Sequence, residues 1–249
     1  MMPTVEVDYD EEANKDPEPS PYRRTILYGD HGKRKTATAA AMVGERGLLL
    51  STDGSWTTLL NPRHAEDYKK LKITPVTGIS QFDHIKLSGY DTIILDTGSE
   101  LVDMYLDLLY DEAKWGGNIR EKIMTNHKEL KNVQVLGLMD YRVTRDIFRP
   151  LFRRLFNQEA HIIITSQWND PIKNMSPDMV RRPAIPNATF KVLARHSDLI
   201  VNIRPESGKF VADMTAESSV YLGKSRIEGI EGKMPLSTFV SKYKEYVFS

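Results

Sequence analysis

The sequence predicts an α/β fold built on a mainly parallel sheet with helices on both faces. Three observations predict it. Short runs of consecutive apolar residues recur at Thr25–Tyr28, Gly47–Thr52, Thr92–Asp96 and His161–Thr165. Helix-type patterns separate them, and after residue 198 the chain turns to short strand-like runs divided by turn residues. A strand buried on both faces reads as an unbroken apolar run, and parallel neighbours need a crossover long enough to hold a helix. The C-terminal runs predict antiparallel hairpins extending one edge.

Taken in order, Thr25–Tyr28 is a buried strand that meets a tight turn at Gly29, and the Ala-rich stretch Thr36–Glu45 suits a helix closed by Gly47. Gly47–Thr52 is the second strand. Asn61–Lys70 reads as a short helix with Pro62 in its first turn, and Leu71–Val76 as a strand weakened by Pro75. Thr92–Asp96 is the clearest strand and Ser99–Tyr110 the clearest helix start. Asp140–Phe156 carries apolar residues near a 3.6 period together with Arg142, Arg145, Arg149, Arg153 and Arg154. That basic series reads as a solvated face or, alternatively, a subunit or DNA contact. His161–Thr165 is a further strand, and Asp198–Arg204, Lys209–Met214 and Ser219–Ile227 are the hairpin strands.

Composition narrows the class. The 249 residues are 40% hydrophobic and contain no Cys, which excludes a disulfide scaffold, a cysteine nucleophile and a thiolate metal site. No apolar run approaches the ~18 residues that span a bilayer, and Met1–Ser20 lacks the pattern of a secretory signal. A cytoplasmic protein without a membrane partner is the expectation. The net charge of +0 hides an asymmetry: residues 1–20 hold seven acids and one base, so they carry −6 and the rest +6. With few large apolar residues, this arm cannot bury enough surface to offset its ordering entropy. The expected organisation is a disordered acidic arm over 1–20 and one core domain over 21–249. The arm either solubilises the protein, or competes with polyanions for the basic core or docks a basic partner.

The most informative stretch is Tyr28-Gly-Asp-His-Gly-Lys-Arg-Lys-Thr36. On the phosphate-loop pattern G-x-x-x-x-G-K-[ST], Gly29 is the first glycine, Lys35 the lysine and Thr36 the hydroxyl residue. Such a loop wraps amide groups around phosphates at a helix N-terminus, with lysine on the phosphate oxygens and a hydroxyl on Mg²⁺. Gly29, Asp30, His31, Gly32, Lys33, Arg34, Lys35, Thr36 and Thr38 are therefore the candidate ATP-binding residues. Arg34 stands where the second glycine belongs. Its side chain either crowds the phosphates or adds a cation to them.

Other strand ends carry matching chemistry. Asp96 closes the Ile-Ile-Leu strand, where a carboxylate holds Mg²⁺ with Thr36. Asp53 follows the Leu-Leu-Leu strand, where a carboxylate can deprotonate an attacking water. Gln167 follows the Ile-Ile-Ile strand, where an amide can sense a terminal phosphate. Open α/β sheets bind ligands at the carboxyl ends of their strands.

The ordered motifs YGDHGKRKT, LLLSTD, TIILDTGSE and HIIITSQ resemble those of RecA-family P-loop ATPases, and more closely the compact RecA-like single-strand annealing recombinases of bacteriophages. The resemblance spans roughly residues 22 to 230 and includes a terminal hairpin, Gly223-Lys-Ser-Arg226. It implies a RecA-like core in which Lys35 and Thr36 bind triphosphate and Mg²⁺, Asp96 supports the metal, Asp53 is the general base and Gln167 couples nucleotide to DNA. It also implies that Lys224 and Arg226 reach a neighbouring subunit's nucleotide, which requires a ring or filament with nucleotide at its interfaces. Departures are Arg34 for glycine, Asp53 where many relatives have Glu, and Ser166 where the sensor pair usually has Asn. The implied setting is the cytoplasm of an infected bacterial host.

In that family two loops line the DNA path. Their counterparts here hold Trp115, Arg120, Lys122 and Lys128 in one, and Lys173, Arg181 and Arg182 in the other, after Trp168. Cations, aromatics and flexible backbone suit single-stranded DNA. The leading expectation is an ATP-dependent, single-stranded-DNA-binding recombinase of the annealing type, with a single-strand-binding protein as a further partner. The alternatives are a non-hydrolysing DNA-binding scaffold on a degenerate phosphate loop, and a small-molecule kinase on the same core.

Overall fold

In the computed structural model, which describes residues 21–82, 84–110, 148, 151–168, 181–185, 187–216 and 221–249, the first strand, β1 (Arg24–Tyr28), lies between two parallel neighbours. The helix after it, α1 (Lys35–Ala41), leads to β2 (Gly47–Ser51); two 3₁₀ turns (Ser55–Leu60 and Pro62–His64) and α2 (Ala65–Lys69) then lead to β3 (Leu71–Pro75). Next come α3 (Ile79–Phe82), β4 (Thr92–Asp96), α4 (Gly98–Tyr110), α5 (residues 151–156) and β5 (His161–Ser166). The chain continues with α6 (Asn187–His196), β6 (Leu199–Glu206), β7 (Lys209–Asp213), β8 (Lys224–Ser225), β9 (Lys233–Pro235) and α7 (Leu236–Phe248).

Among the described residues nine strands form one sheet in the order β3-β2-β4-β5-β1-β6-β7-β9, with β8 also on β6. From β3 to β6 all pairs are parallel, and the β6–β7, β7–β9 and β6–β8 pairs are antiparallel. The α/β class and the antiparallel C-terminal extension are thus as the apolar runs predicted. A two-residue turn, Ser207 (φ 48°) and Gly208 (φ 78°), joins β6 to β7. Two left-handed residues match the twist of a tight hairpin.

Alternation along the central strands divides the core. Ile26, Tyr28, Leu48, Leu50, Ile93, Leu95, Ile162 and Ile164 point into one layer with Leu101 and Val102 of α4, Phe152 of α5 and Leu193 of α6. Leu27, Leu49, Ile94, Ile163, Val201 and Ile203 point into the other, against Ala39 and Ala40 of α1 and Phe239 and Tyr243 of α7. Burial on both faces is why these strands read as unbroken apolar runs. The register sets Tyr28 beside Ser166, Ser51 beside Asp96 and Tyr28 beside Asn202, so the carboxyl ends of β1, β2, β4, β5 and β6 form one edge.

Several predicted elements change. α1 ends at Ala41 rather than Glu45, before Gly44. The strand predicted over Ser219–Ile227 is described only as β8 and a bridge from Tyr221 to Arg181. α6 and α7 were not predicted. α7 buries Phe239 and Tyr243 one turn apart, a helical pair inside a segment rich in aromatic and β-branched residues that favour strands. The acidic arm, and the predicted helix over Asp140–Phe156 apart from 148 and 151–156, lie outside the described residues. No described helix is long and apolar enough to cross a membrane.

Candidate functional site

The loop between β1 and α1 turns where close packing forbids a side chain. A Cβ at Gly29 would lie 2.3 Å from the carbonyl oxygen of Ile203 on β6. Gly32 has φ +66°, and Arg34 has φ 64° and ψ 15° at the N-terminus of α1. The left-handed geometry that calls for glycine is therefore present, and arginine adopts it at a cost of roughly 1–2 kcal/mol. Its guanidinium lies 4.5 Å from the Phe210 ring centroid on β7. The second glycine is thus replaced without losing the loop's shape, and the extra cation stacks on an aromatic face.

This loop walls a cavity of about 250 Å³. Residues 31–37 form one side, Asp53, Ser55, Thr58, Arg63 and His64 another, and Thr97 and Gln167 complete it. Lys33, Arg34, Lys35 and Arg63 face it against one lining acid, Asp53, an arrangement suited to a polyanion. The Lys35 ammonium donates to the carbonyls of Gly29 (3.0 Å) and Asp30 (2.8 Å). Burial lowers its pKa, against the pull of Asp96, Asp30 and Asp53.

Asp96, at the end of β4, is fully buried. Its Oδ2 accepts hydrogen bonds from the hydroxyls of Thr36 (2.9 Å) and Ser55 (2.5 Å), and its Oδ1 from Thr165 (2.5 Å). Burial raises its pKa, and the Ser55, Thr165 and Thr36 hydroxyls act the other way. The Asp53 carboxylate accepts the Ser55 N–H at 2.8 Å. Gln167 donates its N–H to Ser99 Oγ at 3.2 Å, and its side-chain Oε1 is buried with no hydrogen-bond partner among the described residues. The phosphate-loop residues, Asp53, Asp96 and Gln167 thus meet at one sheet edge, though they are up to 138 positions apart in the chain.

Other expected site residues fall elsewhere. Thr38 is buried within α1, and the cavity wall on that helix ends at Ala37. Lys224 pairs with Ile200 near the start of β6, away from the cavity edge, and its ammonium donates to the Ala194 carbonyl at 2.5 Å. Burial, and Arg226 beside it, lower its pKa to about 8. Arg226 is exposed, and neither residue lines the cavity of its own chain. The Arg181 guanidinium sits 4.3 Å from the Trp168 ring centroid and 5.8 Å from that of Tyr221, and the two rings stack at 6.1 Å. Arg182 is half-buried. Trp115, Arg120, Lys122, Lys128 and Lys173 lie outside the described residues.

Sequence reasoning missed Ser55, Thr58, Arg63, His64, Thr97 and Thr165. The signal for Thr165 was its place two residues before Gln167 on a strand adjacent to β4, and for Ser55 its place two residues after Asp53. Arg63 and His64 enter through the fold of the turns after β2, which no short pattern encodes.

A family model described as an AAA domain matches residues 22–227 of the chain. No curated protein matches it.

Proposed function

The chain belongs to the AAA-domain family, and from that premise we propose that it binds and hydrolyses ATP with Mg²⁺ and acts on single-stranded DNA as a RecA-like, annealing-type recombinase of the bacteriophage kind. One observation carries the nucleotide reading: the hydroxyl of Thr36, directly after the loop lysine, donates to the buried carboxylate of Asp96 at the mouth of a cation-lined cavity.

These residues fit Mg²⁺. Thr36, Ser55 and Asp96 offer only oxygen donors, and no group of three or more His, Cys, Asp or Glu that could hold a metal occurs among the described residues. Mg²⁺ is commonly held by one or two carboxylates together with substrate phosphates. When bound, it neutralises phosphate charge. Lys35 and the loop amides bind the triphosphate, Asp53 orients and deprotonates the attacking water, and the free amide oxygen of Gln167 marks a polar group ready for a new partner.

The stack of Arg181 on Trp168 and Tyr221, beginning one residue after Gln167, supports the DNA reading because aromatic faces and cations are what single strands bind. Self-assembly on DNA, with Lys224 and Arg226 reaching a neighbour's nucleotide, and a single-strand-binding protein as partner, complete the proposal. Arg226, exposed on β8's flank, is the better placed of the two. The departure at Arg34, which stands where the second glycine belongs, leaves a second reading, a non-hydrolysing DNA-binding scaffold whose degenerate phosphate loop keeps only the fold.

Steady-state phosphate release with and without single-stranded DNA tests the proposal, with Lys35→Ala and Asp53→Ala as controls. DNA-stimulated release that both variants abolish is expected. Absent turnover, with strand annealing unchanged in Lys35→Ala, assigns the scaffold.

A further inference from the structure

Ser55 is bound both to Asp53, which lines the cavity, and to the buried Asp96. Its N–H donates to Asp53 Oδ1 at 2.8 Å and its hydroxyl donates to Asp96 Oδ2 at 2.5 Å. The same hydroxyl lies 3.0 Å from Thr36 Oγ1, which is itself 2.9 Å from Asp96 Oδ2. Three oxygens from three separate segments therefore form a triangle with edges of 2.5, 2.9 and 3.0 Å. Octahedral Mg²⁺ holds its ligands at about 2.0–2.1 Å, which sets neighbouring oxygens about 2.8–3.0 Å apart. The triangle is thus close in size to one face of that octahedron.

The phosphate-loop pattern supplies only Thr36 and the acid at the end of β4. Ser55 belongs to neither. It opens the 3₁₀ turn Ser55–Leu60, preceded by Gly54 at φ 73°. This turn carries Ser55 back over α1 and lets Asp53 accept the N–H two residues on.

The geometry points to Ser55 as a third metal-facing oxygen, which completes with Thr36 and Asp96 the protein side of the Mg²⁺ site. This inference rests on the nucleotide reading above. It gives the domain a metal-site hydroxyl outside the phosphate loop.

The test uses the full chain and reads binding rather than turnover. Affinity for a fluorescent ATP analogue is measured in EDTA and then across a Mg²⁺ titration. Mn²⁺ bound to the protein–ATP complex is counted by electron paramagnetic resonance. Ser55→Ala keeps the N–H on Asp53 and removes only the hydroxyl, and Ser55→Thr restores a hydroxyl. For Ser55→Ala the expected result is analogue affinity in EDTA within twofold of wild type, a Mg²⁺ half-saturation raised at least tenfold and weaker Mn²⁺ binding, with Ser55→Thr returning both towards wild type. An unchanged metal half-saturation in Ser55→Ala, or a loss of its EDTA affinity, overturns the inference while leaving the nucleotide reading standing. A wild-type chain that binds no analogue in either condition overturns both. If Ser55→Ala does not fold, Ser55→Thr must still match the wild-type metal titration, and failure to do so overturns the inference.

Discussion

The hydroxyl of Thr36 and the carboxylate of Asp96, sixty positions apart, meet at 2.9 Å where α1 and β4 converge. The carboxylate is buried, and its close partners are hydroxyls rather than a cation. Burying a charge this way is costly, so the site is poised to gain when a cation arrives with a ligand.

Asp96→Asn is therefore expected to lower Mg²⁺-dependent ATP binding at least tenfold while changing binding in EDTA by less than threefold, as read by a fluorescent analogue. Burial raises the Asp96 pKa, so the nucleotide-free fold gains, rather than loses, stability as this carboxyl takes up its proton. MgATP binding needs the ionised form. It should weaken with falling pH from above the ordinary carboxylate range, and Asp96→Asn should flatten that profile.

Arg34 separates backbone strain from side-chain contact. Arg34→Gly relieves the left-handed strain but loses the Phe210 stack and adds unfolded-chain entropy, so stability should stay within about 0.5 kcal/mol of wild type. Arg34→Ala keeps the strain and loses the stack, and should cost about 1 kcal/mol in denaturant unfolding. Because the guanidinium rests on Phe210, Arg34→Gly should retain MgATP binding within about threefold.

Acid stability should depend on His161. Burial, with Arg23 nearby, lowers its pKa to about 4, and its Nδ1 accepts the Arg23 N–H, so it is neutral in the fold. The unfolded chain protonates this group near pH 6.5, ahead of the folded one. Stability must then fall as pH drops from 6.5 towards 4. After allowance for its partly solvated setting, the loss should be on the order of 1–2 kcal/mol. His161→Gln should reduce that slope, measured as melting temperature against pH.

The DNA reading puts its weight on Trp168. Trp168→Leu keeps an apolar side chain against the core but removes the face that Arg181 covers. Single-strand affinity should fall about tenfold or more, with MgATP binding unchanged. Equal DNA affinity in the variant would remove the stack from the DNA path.

The central sheet was legible because its strands are buried on both faces, which writes Thr92–Asp96 and His161–Ser166 as apolar runs with polar ends. The site was legible for the same reason: residues that close such strands share an edge. What escaped notice depends on tertiary placement. Ser55, Arg63 and His64 reach the cavity through turns whose course follows from packing. α7 was hidden because Phe239, Val240, Tyr243 and Val247 carry strand-like propensities, and burial in the second core layer, where the helix packs beside β7 and β9, selects the helix. The bond from the Lys224 ammonium to the Ala194 carbonyl is likewise a product of tertiary placement that no local pattern writes.

Calorimetric titration of the full chain with MgATP, run beside Lys35→Ala, tests the central claim most directly. Saturable binding in the wild-type chain, lost in a Lys35→Ala protein that still unfolds cooperatively, is the predicted result. A flat titration of the wild-type chain at millimolar MgATP would contradict it.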